Sequence, residues 1–379
     1  MIPFNRPFLT GNETAYISNA LDSRKLSGDG EFTKKCQALF ASKFGFQNNL
    51  LTTSCTDALE MCAILLGIKP GDEVILPSYT FVSTANAFAL RGARLVFADS
   101  QADQPNIDPS EIERLITPRT RAIVLVHYAG VACDMDRILE ISHAHKIPVI
   151  EDAAQAIASF HRGRPLGSLG AMSAFSFHET KNIVCGEGGL LVVNNADYAK
   201  RAEIIREKGT NRSSFFRGEV DKYGWVDIGS SFLPSDLLAA FLYAQLESID
   251  MIQTERLRVW NGYAARLAEG EKRGWYSLPV IPDYASNNAH MFYIVCRSLD
   301  ERSRLITHLK AAGILAVFHY LSLHSSPYFA SQHGDRSLPN SDRYTDCVLR
   351  LPLFAELTNE QVDYIASTIT GFYMSSCKS

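Results

Sequence analysis

Short runs of β-branched and aliphatic residues alternate with longer stretches of helical periodicity between about residues 48 and 195. This alternation is typical of βαβ units, so we predict an α/β fold with a mostly parallel central sheet flanked by helices. Parallel strands end at one edge of a sheet, and polar residues directly after them are the first candidates for a binding site. The runs are Val74–Leu76, Leu95–Phe97, Ile123–Val126, Pro148–Ile150 and Leu190–Val193.

The pattern changes after about residue 196, and the length of 379 residues exceeds what one hydrophobic core usually supports. Two long helical stretches, Ala199–Arg206 and Asp236–Ile249, precede a region of mixed strands and helices. We therefore predict a large domain over residues 1–245 and a smaller C-terminal α+β domain over residues 246–379. The later elements are expected at Met291–Val295, 301–312, Ala316–Phe318 and from Asn359 onward.

Charge and composition are those of an ordinary globular enzyme. A formal net charge of −4 gives no electrostatic basis for binding nucleic acid. The eight cysteines contain no C-x-x-C pair, which predicts reduced thiols and no metal site. The chain has no apolar leader and no run of about 18 apolar residues, so we expect a cytoplasmic protein without a membrane partner.

Candidate catalytic residues follow two of the apolar runs. Val149-Ile150 runs directly into Glu151–Gln155, which contains Asp152 and Gln155, and Lys181 lies in a Ser/Phe/Thr-rich stretch after Ser176. A nucleophilic lysine that forms a Schiff base must be partly desolvated, and its cofactor needs a carboxylate at the pyridine nitrogen and donors for a phosphate. These residues offer all three groups, although a lone lysine is usually a solvated surface charge and an aspartate here could simply cap a helix.

A hydroxyl-rich turn, Thr52–Asp57, opens an apolar helix and could hold a phosphate at the helix N-terminus. The same turn would equally serve as an ordinary N-cap. After the next apolar run, Phe81 could stack on a cofactor ring, although aromatic residues at such positions more often belong to the core.

Taken in this order, these segments resemble the DegT/DnrJ/EryC1 family of sugar aminotransferases, which are fold-type I enzymes dependent on pyridoxal phosphate. The resemblance extends along nearly the whole chain. It is also carried by Gly28–Gly30, Pro77–Phe81, His127–Cys133, Glu207–Arg212, Ser213–Tyr223, Asn288–Tyr293 and Phe318–Tyr320.

The resemblance implies that Lys181 forms the Schiff base with pyridoxal 5′-phosphate and that Asp152 pairs with the pyridine nitrogen. It places Gln155 beside the ring and Phe81 over one face. The other cofactor contacts that it implies are Cys55, Thr56, Asp57, Ser176 and Ser231.

The implied reaction moves an amino group from glutamate to a nucleotide-linked keto-sugar. The resemblance is strongest to members acting at C4 of dTDP-4-keto-6-deoxyglucose to give the galacto product, for polysaccharide synthesis. A gluco product, a C3 aminotransferase and a UDP-sugar substrate are the alternatives. The expected substrate contacts are Lys25, Arg212, Lys222, Tyr223, His319, Tyr320 and His324.

The sequence departs from the family pattern at Gly229–Leu233, where the family usually has Gly-x-Asn-x-Arg. Ser231 stands where an Asn normally reaches the phosphate in the neighbouring subunit, so the resemblance implies a homodimer with shared active sites. A dehydratase is disfavoured because Lys181 is present, and a non-catalytic binding protein would be expected to lose Lys181 or Asp152. A nicotinamide-dependent oxidoreductase is disfavoured because no G-x-G-x-x-G follows the first strand.

Overall fold

The computed structural model describes residues 1–376 and contains twelve strands in three sheets. The largest sheet has the strand order β1-β9-β8-β5-β4-β2-β3. The strands are β1 (Asn49–Thr52), β2 (Glu73–Pro77), β3 (Arg94–Ala98), β4 (Thr120–Val126), β5 (Val149–Asp152), β6 (Phe160–His161), β7 (Arg164–Pro165), β8 (Met172–Ser176), β9 (Gly189–Val193), β10 (Phe292–Val295), β11 (Val317–Phe318) and β12 (Val348–Leu351).

Fourteen α-helices surround these sheets in the described part of the chain. They are α1 (Glu13–Asp22), α2 (Glu31–Phe44), α3 (Cys55–Leu65), α4 (Val82–Ala89), α5 (Pro109–Leu115), α6 (Met135–His145), α7 (Ala199–Arg206), α8 (Arg212–Phe216), α9 (Asp236–Glu247), α10 (Ile249–Lys272), α11 (Leu299–Ala311), α12 (Ala330–His333), α13 (Pro339–Cys347) and α14 (Asn359–Ser376).

The expected α/β fold with a mostly parallel sheet is confirmed. β9 runs antiparallel to both of its neighbours, β1 and β8, and the other strands all share one direction. The apolar runs of the sequence form β2, β3, β4, β5 and β9. All of these strands except β9 therefore end at the same edge of the sheet, the edge where the sequence predicts the site.

Both faces of the large sheet are covered, because alternate strand residues point to opposite sides. Ile75, Ile123 and Phe175 pack in one core with α2, α6 and α9, whereas Val74 and Val124 pack in the other with α3, α4 and α7. Burial on both faces explains why the strand segments read as continuous apolar runs instead of alternating ones.

A second, antiparallel sheet has the order β10-β12-β11 and its own core, formed with α10, α11 and α14. The division into domains 1–245 and 246–379 stays a prediction, with which this separate core is compatible. The helix boundary lies at Ser248, where α9 ends and α10 begins. The N-terminus is hydrogen-bonded to the loop between α11 and β11, where the Ile2 amide donates to the Gly313 carbonyl at 2.8 Å.

Seven cysteines in the described residues are unpaired thiols, and Cys377 lies outside those residues. Among residues 1–376, no helix combines the length and the apolar character that crossing a membrane requires.

Candidate active site

One cavity of about 440 Å³ lies at the edge where the parallel strands of the large sheet end, and it is also lined by residues of the second sheet. Its size suits a small organic ligand. It is lined by Ser54, Cys55, Thr56, Leu59, Thr80, Phe81, Ser83, Val126, Asp152, Ala154, Gln155, Ser176, His178, Thr180, Lys181, Glu187, His290, His319, Tyr320 and Arg350.

Asp152 lies at the end of β5 with its carboxylate buried in the wall of the cavity. The Thr84 hydroxyl donates to Oδ2 at 2.7 Å, and the Ala154 amide donates to Oδ1 at 3.1 Å. Burial raises the pKa of Asp152, although both hydrogen bonds and the charge of Lys181 oppose this rise. The carboxylate is thus held in a fixed position and could face a cationic ring nitrogen.

Lys181 lies in the loop that follows β8, where its amide donates to the His178 carbonyl at 2.9 Å. Burial lowers the pKa of its ammonium group, while Cys55 and Asp152 act in the opposite direction. A lysine with a lowered pKa has more of the neutral amine at physiological pH, which is the form that attacks a carbonyl.

The N-terminus of α3 opens into the same cavity. Ser54 is the N-cap, since its hydroxyl accepts from the Asp57 amide at 3.0 Å. The hydroxyls of Thr56 and Ser83 are hydrogen-bonded at 2.8 Å, and both residues line the cavity. Together with Ser176 at the end of β8, they form a hydroxyl-rich cradle at a helix N-terminus, which favours a phosphate.

Asp57 lies in this turn but is not among the residues that line the cavity, and its carboxylate accepts a hydrogen bond from the Thr53 hydroxyl. Its expected contact with the phosphate would therefore come through the backbone at the start of α3.

Gln155 connects three parts of the site. Its Oε1 accepts from the Ala129 amide at 2.6 Å, and its Nε2 donates to the Tyr320 hydroxyl at 3.0 Å. The Tyr320 ring lies 6.0 Å from that of Phe81, which is 54% exposed at the start of α4. An exposed aromatic ring beside a cavity can cover a flat ligand.

Two histidines from the C-terminal half line the cavity as hydrogen-bonded, neutral rings. His290 Nδ1 lies 2.8 Å from Asn182 Oδ1, and His319 Nδ1 lies 2.9 Å from the Tyr128 hydroxyl. Burial lowers the pKa of both, with nearby cations adding to the effect.

Behind the site, Glu151 holds the loop that follows β7. Its buried carboxylate accepts from the amides of Gly167, Leu169 and Gly170 at 2.8, 2.8 and 2.6 Å. His127 accepts from the Cys133 amide at Nδ1, so its Nε2 carries the hydrogen that it donates to Glu151 at 2.9 Å. Because Glu151 precedes Asp152 on β5, this network fixes the end of the strand that bears the carboxylate.

Several residues expected to contact substrate lie outside this cavity. Lys25 and Arg212 line a second cavity of about 530 Å³, and Lys222 and Tyr223 are exposed on the loop after α8. His324 instead bonds to Ser78, with 2.8 Å between His324 Nδ1 and the serine Oγ.

Ser231 is exposed and forms an isolated β-bridge with Glu207. Its expected contact with a phosphate therefore depends on a neighbouring subunit.

Three residues of the site were not predicted from the sequence. Thr84 supports Asp152, and His290 and Arg350 line the cavity. His290 lies in a segment that carries the family resemblance, which was the only sequence signal for it. Arg350 lies in the apolar strand β12, where nothing local indicates a binding role.

The residues that line the cavity fit pyridoxal phosphate. They provide a buried carboxylate, a lysine of lowered pKa, a hydroxyl-rich helix N-terminus and an aromatic ring. Asp152 would hold the ring nitrogen, Lys181 the aldehyde carbon, and Thr56, Ser83 and Ser176 the phosphate.

Comparison with known proteins agrees with this chemistry. A model of the DegT/DnrJ/EryC1/StrS aminotransferase family matches residues 7–370, and the chain belongs to that family.

Similar solved structures span nearly the whole chain. The aminotransferase TlmJ from Streptoalloteichus hindustanus is 28% identical with a TM-score of 0.90, and 99% of each chain is covered. S. venezuelae DesV, in complex with a ketimine intermediate, is 30% identical with a TM-score of 0.87 and 98% of each chain covered. The PMP form of the putative sugar aminotransferase Spr1654 from Streptococcus pneumoniae is 25% identical with a TM-score of 0.92, covering 99% of this chain and 100% of the other.

The protein is thus a sugar aminotransferase that depends on pyridoxal phosphate.

Proposed function

We propose that the protein transfers the amino group of glutamate to C4 of dTDP-4-keto-6-deoxy-D-glucose, giving dTDP-4-amino-4,6-dideoxy-D-galactose. The reaction is expected in the cytoplasm, where the sugar would serve polysaccharide synthesis. The observation that carries the aminotransferase chemistry is that Lys181 and Asp152 line one cavity with the N-terminus of α3.

The choice of sugar rests on the resemblance of the sequence to the transaminases that make this amino sugar, through Gly28–Gly30, Pro77–Phe81, His127–Cys133 and Glu207–Arg212. Two features of the site are compatible with it. His319 and Tyr320 line the cavity, and their neutral donors and acceptors suit sugar hydroxyls.

Pyridoxal phosphate, when bound, supplies an aldehyde that bonds to amines. Its ring accepts the electron pair that is released when the α-carbon of the amino donor loses its proton. Asp152 would hold the proton on the ring nitrogen, which a neutral amide would do poorly. Gln155 fixes the Ala129 turn and Tyr320 on the same side of the cavity.

Lys181 would act as the acid and base of both halves of the reaction. As a neutral amine, it would take the proton from the α-carbon of the amino donor and deliver it to the cofactor carbon bonded to the donor's nitrogen. It then moves a proton in the reverse direction when the keto-sugar reacts, so that C4 receives both an amino group and a hydrogen.

The expected homodimer is a further part of this proposal, since Lys25, Arg212 and Ser231 lie away from the first cavity in one subunit. A nucleotide diphosphate would need cations, and Lys25 and Arg212 could supply them to a partner subunit's site.

The direct test combines the purified protein, pyridoxal phosphate, glutamate and dTDP-4-keto-6-deoxyglucose. The cofactor absorbance reports the exchange of the amino group, and mass and NMR coupling constants identify the sugar product. A C4 amine with galacto coupling constants is expected, and the Lys181→Ala variant should form none.

Other outcomes would change distinct parts of the proposal. Gluco coupling constants would reverse the stereochemistry, while reaction only with a UDP-sugar or only at C3 would replace the substrate. Conversion of the cofactor by glutamate without any change in the sugars would leave the amino donor correct and the acceptor wrong.

A further inference from the structure

Three side chains that the aminotransferase chemistry does not use lie together outside the active-site cavity. Asp134 and Asp136 are at the start of α6, and His161 is in β6. Among residues 1–376, these three form a group whose possible metal-ligating atoms all lie within 4.8 Å of one another. The expectation of no metal site rested on the cysteines, and residues so far apart in the sequence have no local ligand spacing that would indicate a site.

His161 is the most informative member of this group. Its side chain is 3% exposed, and its Nε2 has no hydrogen-bond partner among the described residues. Asp136 Oδ2 lies 3.9 Å from this Nε2, which is too far for a hydrogen bond. A buried polar nitrogen without a partner is costly, so an unpaired Nε2 beside two carboxylates indicates that a further group binds between them.

The elements that carry these side chains hold them in place. The His161 ring packs on Tyr284, with 5.3 Å between the ring centroids, and its backbone forms a β-bridge with Ala285. Asp134 is the N-cap of α6, where one carboxylate oxygen accepts from the Arg137 amide at 3.2 Å. A carboxylate has two oxygens, so the cap leaves one for a metal ion. Ligands that are already fixed lose little conformational freedom on binding.

Arg162 competes with a metal ion for this group. Its Nε donates to Asp136 Oδ2 at 2.7 Å, and its side chain is 63% exposed. Arg164 also attracts Asp136, more weakly than Arg162 does. An exposed ion pair contributes little free energy, so Arg162 can turn toward solvent or share the carboxylate when a divalent ion binds.

The set of ligand atoms favours a first-row transition metal. One imidazole nitrogen and two carboxylate oxygens suit Zn²⁺, which binds three protein ligands in an open site and completes its shell with water. Mg²⁺ and Ca²⁺ prefer oxygen ligands alone, and Ca²⁺ takes about six to eight of them. The 3.9 Å between Nε2 and Oδ2 leaves room for an ion about 2.1 Å from each atom.

We propose that Asp134, Asp136 and His161 bind a divalent transition metal ion, with Zn²⁺ as the best fit. The ion connects the start of α6 to the β6–β7 hairpin. The loop before α6 contains Ala129, whose amide donates to Gln155, and the hairpin follows Gln155 in the chain. The ion therefore stabilises the two segments that position Gln155. The inference is independent of the proposed sugar.

The test uses the holoenzyme without a polyhistidine tag, after treatment with EDTA and dialysis. Calorimetry measures Zn²⁺ binding, and elemental analysis measures the number of ions per chain. The absorbance of Co²⁺ bound in place of Zn²⁺ reports the type of ligand.

Three variants each remove one ligand: His161→Gln, Asp136→Asn and Asp134→Asn. The last of these keeps the helix cap, because asparagine is also a good N-cap. His145→Gln changes an exposed histidine of α6 and is the matched control.

We expect one Zn²⁺ per chain in the wild type and in His145→Gln. Each ligand variant should bind Zn²⁺ at least about 10-fold more weakly. Arg162→Gln should bind it up to about 5-fold more tightly, because the competing cation is removed. Zn²⁺ should raise the Tm of the wild type but not that of His161→Gln. Mg²⁺ and Ca²⁺ should not displace it.

Three results would overturn the proposal. Absence of Zn²⁺ binding by the wild type would leave His161 Nε2 to a water molecule. Equal binding by the wild type and the three ligand variants would place the ion on thiols or on the cofactor. Loss of binding in His145→Gln would place it on the exposed histidines of α6. If one ligand variant does not fold, Asp134→Asn and the gain expected for Arg162→Gln still decide the question.

Discussion

Lys181 and Asp152 are the residues on which the reaction depends most directly. We expect Lys181→Ala to slow the glutamate half-reaction by at least about 100-fold, because the variant lacks the group that moves the proton. Stopped-flow absorbance of the cofactor measures this rate. Lys200→Ala, on the exposed surface of α7, is the matched control and should react like the wild type. Equal rates in the two variants would contradict the assignment.

The lowered pKa of Lys181 has a consequence for pH dependence. Burial is the main cause, and the amine becomes neutral at a lower pH than the value of about 10.4 for free lysine. The rate at which the apoprotein captures pyridoxal phosphate should therefore rise with pH and level off at a lower pH than the reaction of a free lysine amine does. A rate that keeps rising to higher pH would show that the lysine is not desolvated.

Asp152→Asn tests the carboxylate with little change in shape. The amide cannot accept from both Thr84 and Ala154 as the carboxylate does, and it cannot hold a proton on the ring nitrogen. We expect a decrease of about 100- to 1,000-fold in the glutamate half-reaction, measured by cofactor absorbance. Asp300→Asn, on the exposed part of α11, serves as the control. Wild-type rates in Asp152→Asn would exclude this residue as the partner of the ring.

At the scale of elements, Glu151 connects β5 to the loop at 167–170 through three amides and His127. Burial alone would raise the pKa of Glu151, but the hydrogen bond from His127 and those from the loop amides lower it overall. A carboxyl group with a lowered pKa contributes stability above its unfolded pKa of about 4.3, and this contribution is lost as pH falls through the folded value.

We therefore expect Glu151→Gln to reduce the free energy of unfolding at pH 7 by about 2 to 4 kcal/mol. Urea denaturation at several pH values measures this change. The difference from the wild type should be constant near neutral pH and should shrink at acid pH below about 4.3. A difference that stays the same down to pH 3 would contradict the ionised state of Glu151.

Close packing of β9 against the start of α3 is a second feature at this scale. A Cβ added to Gly189 would come within 2.4 Å of the Ser54 carbonyl and within 2.5 Å of the Cys55 amide nitrogen. Gly189→Ala should therefore displace the helix N-terminus and weaken retention of pyridoxal phosphate about 10-fold or more, measured by equilibrium dialysis. Gly371→Ala, where the added Cβ meets no atom within 4 Å, should retain the cofactor normally.

At the scale of the whole molecule, the segment from Phe216 to Ile228 exposes several large apolar side chains. Trp225 is 84% exposed and Phe216 is 70% exposed. Apolar surface of this kind commonly marks an interface, and the segment lies close in sequence to Ser231. It supports the proposed homodimer.

We expect the wild type to be a dimer by light scattering and Trp225→Ser to dissociate at higher protein concentration than the wild type. Tyr328→Ser removes an aromatic residue that is similarly exposed, 73%, outside this segment and should leave the mass unchanged. A monomeric wild type would contradict the proposal that two subunits share their active sites.

The sequence predicted the fold well because its strands are short apolar runs buried on both faces, a pattern visible without tertiary information. Asp152 and Lys181 could be predicted as site residues because a carboxylate and a lysine follow the ends of predicted strands. Arg350 could not, since β12 meets the cavity only through the packing of the second sheet. Residue type also does not reveal the conformation of a loop. The sequence therefore could not show that Lys222, Tyr223 and His324 lie outside the cavity.

Because Asp152 comes from the seven-stranded sheet and Arg350 from the three-stranded sheet, a ligand in the cavity contacts elements that belong to two separate hydrophobic cores. Binding free energy adds to the stability of any state in which both walls of the cavity are intact. Partial unfolding of either core would release the ligand. The occupied enzyme should therefore unfold in one cooperative transition, whereas the empty protein is free to lose its smaller core first.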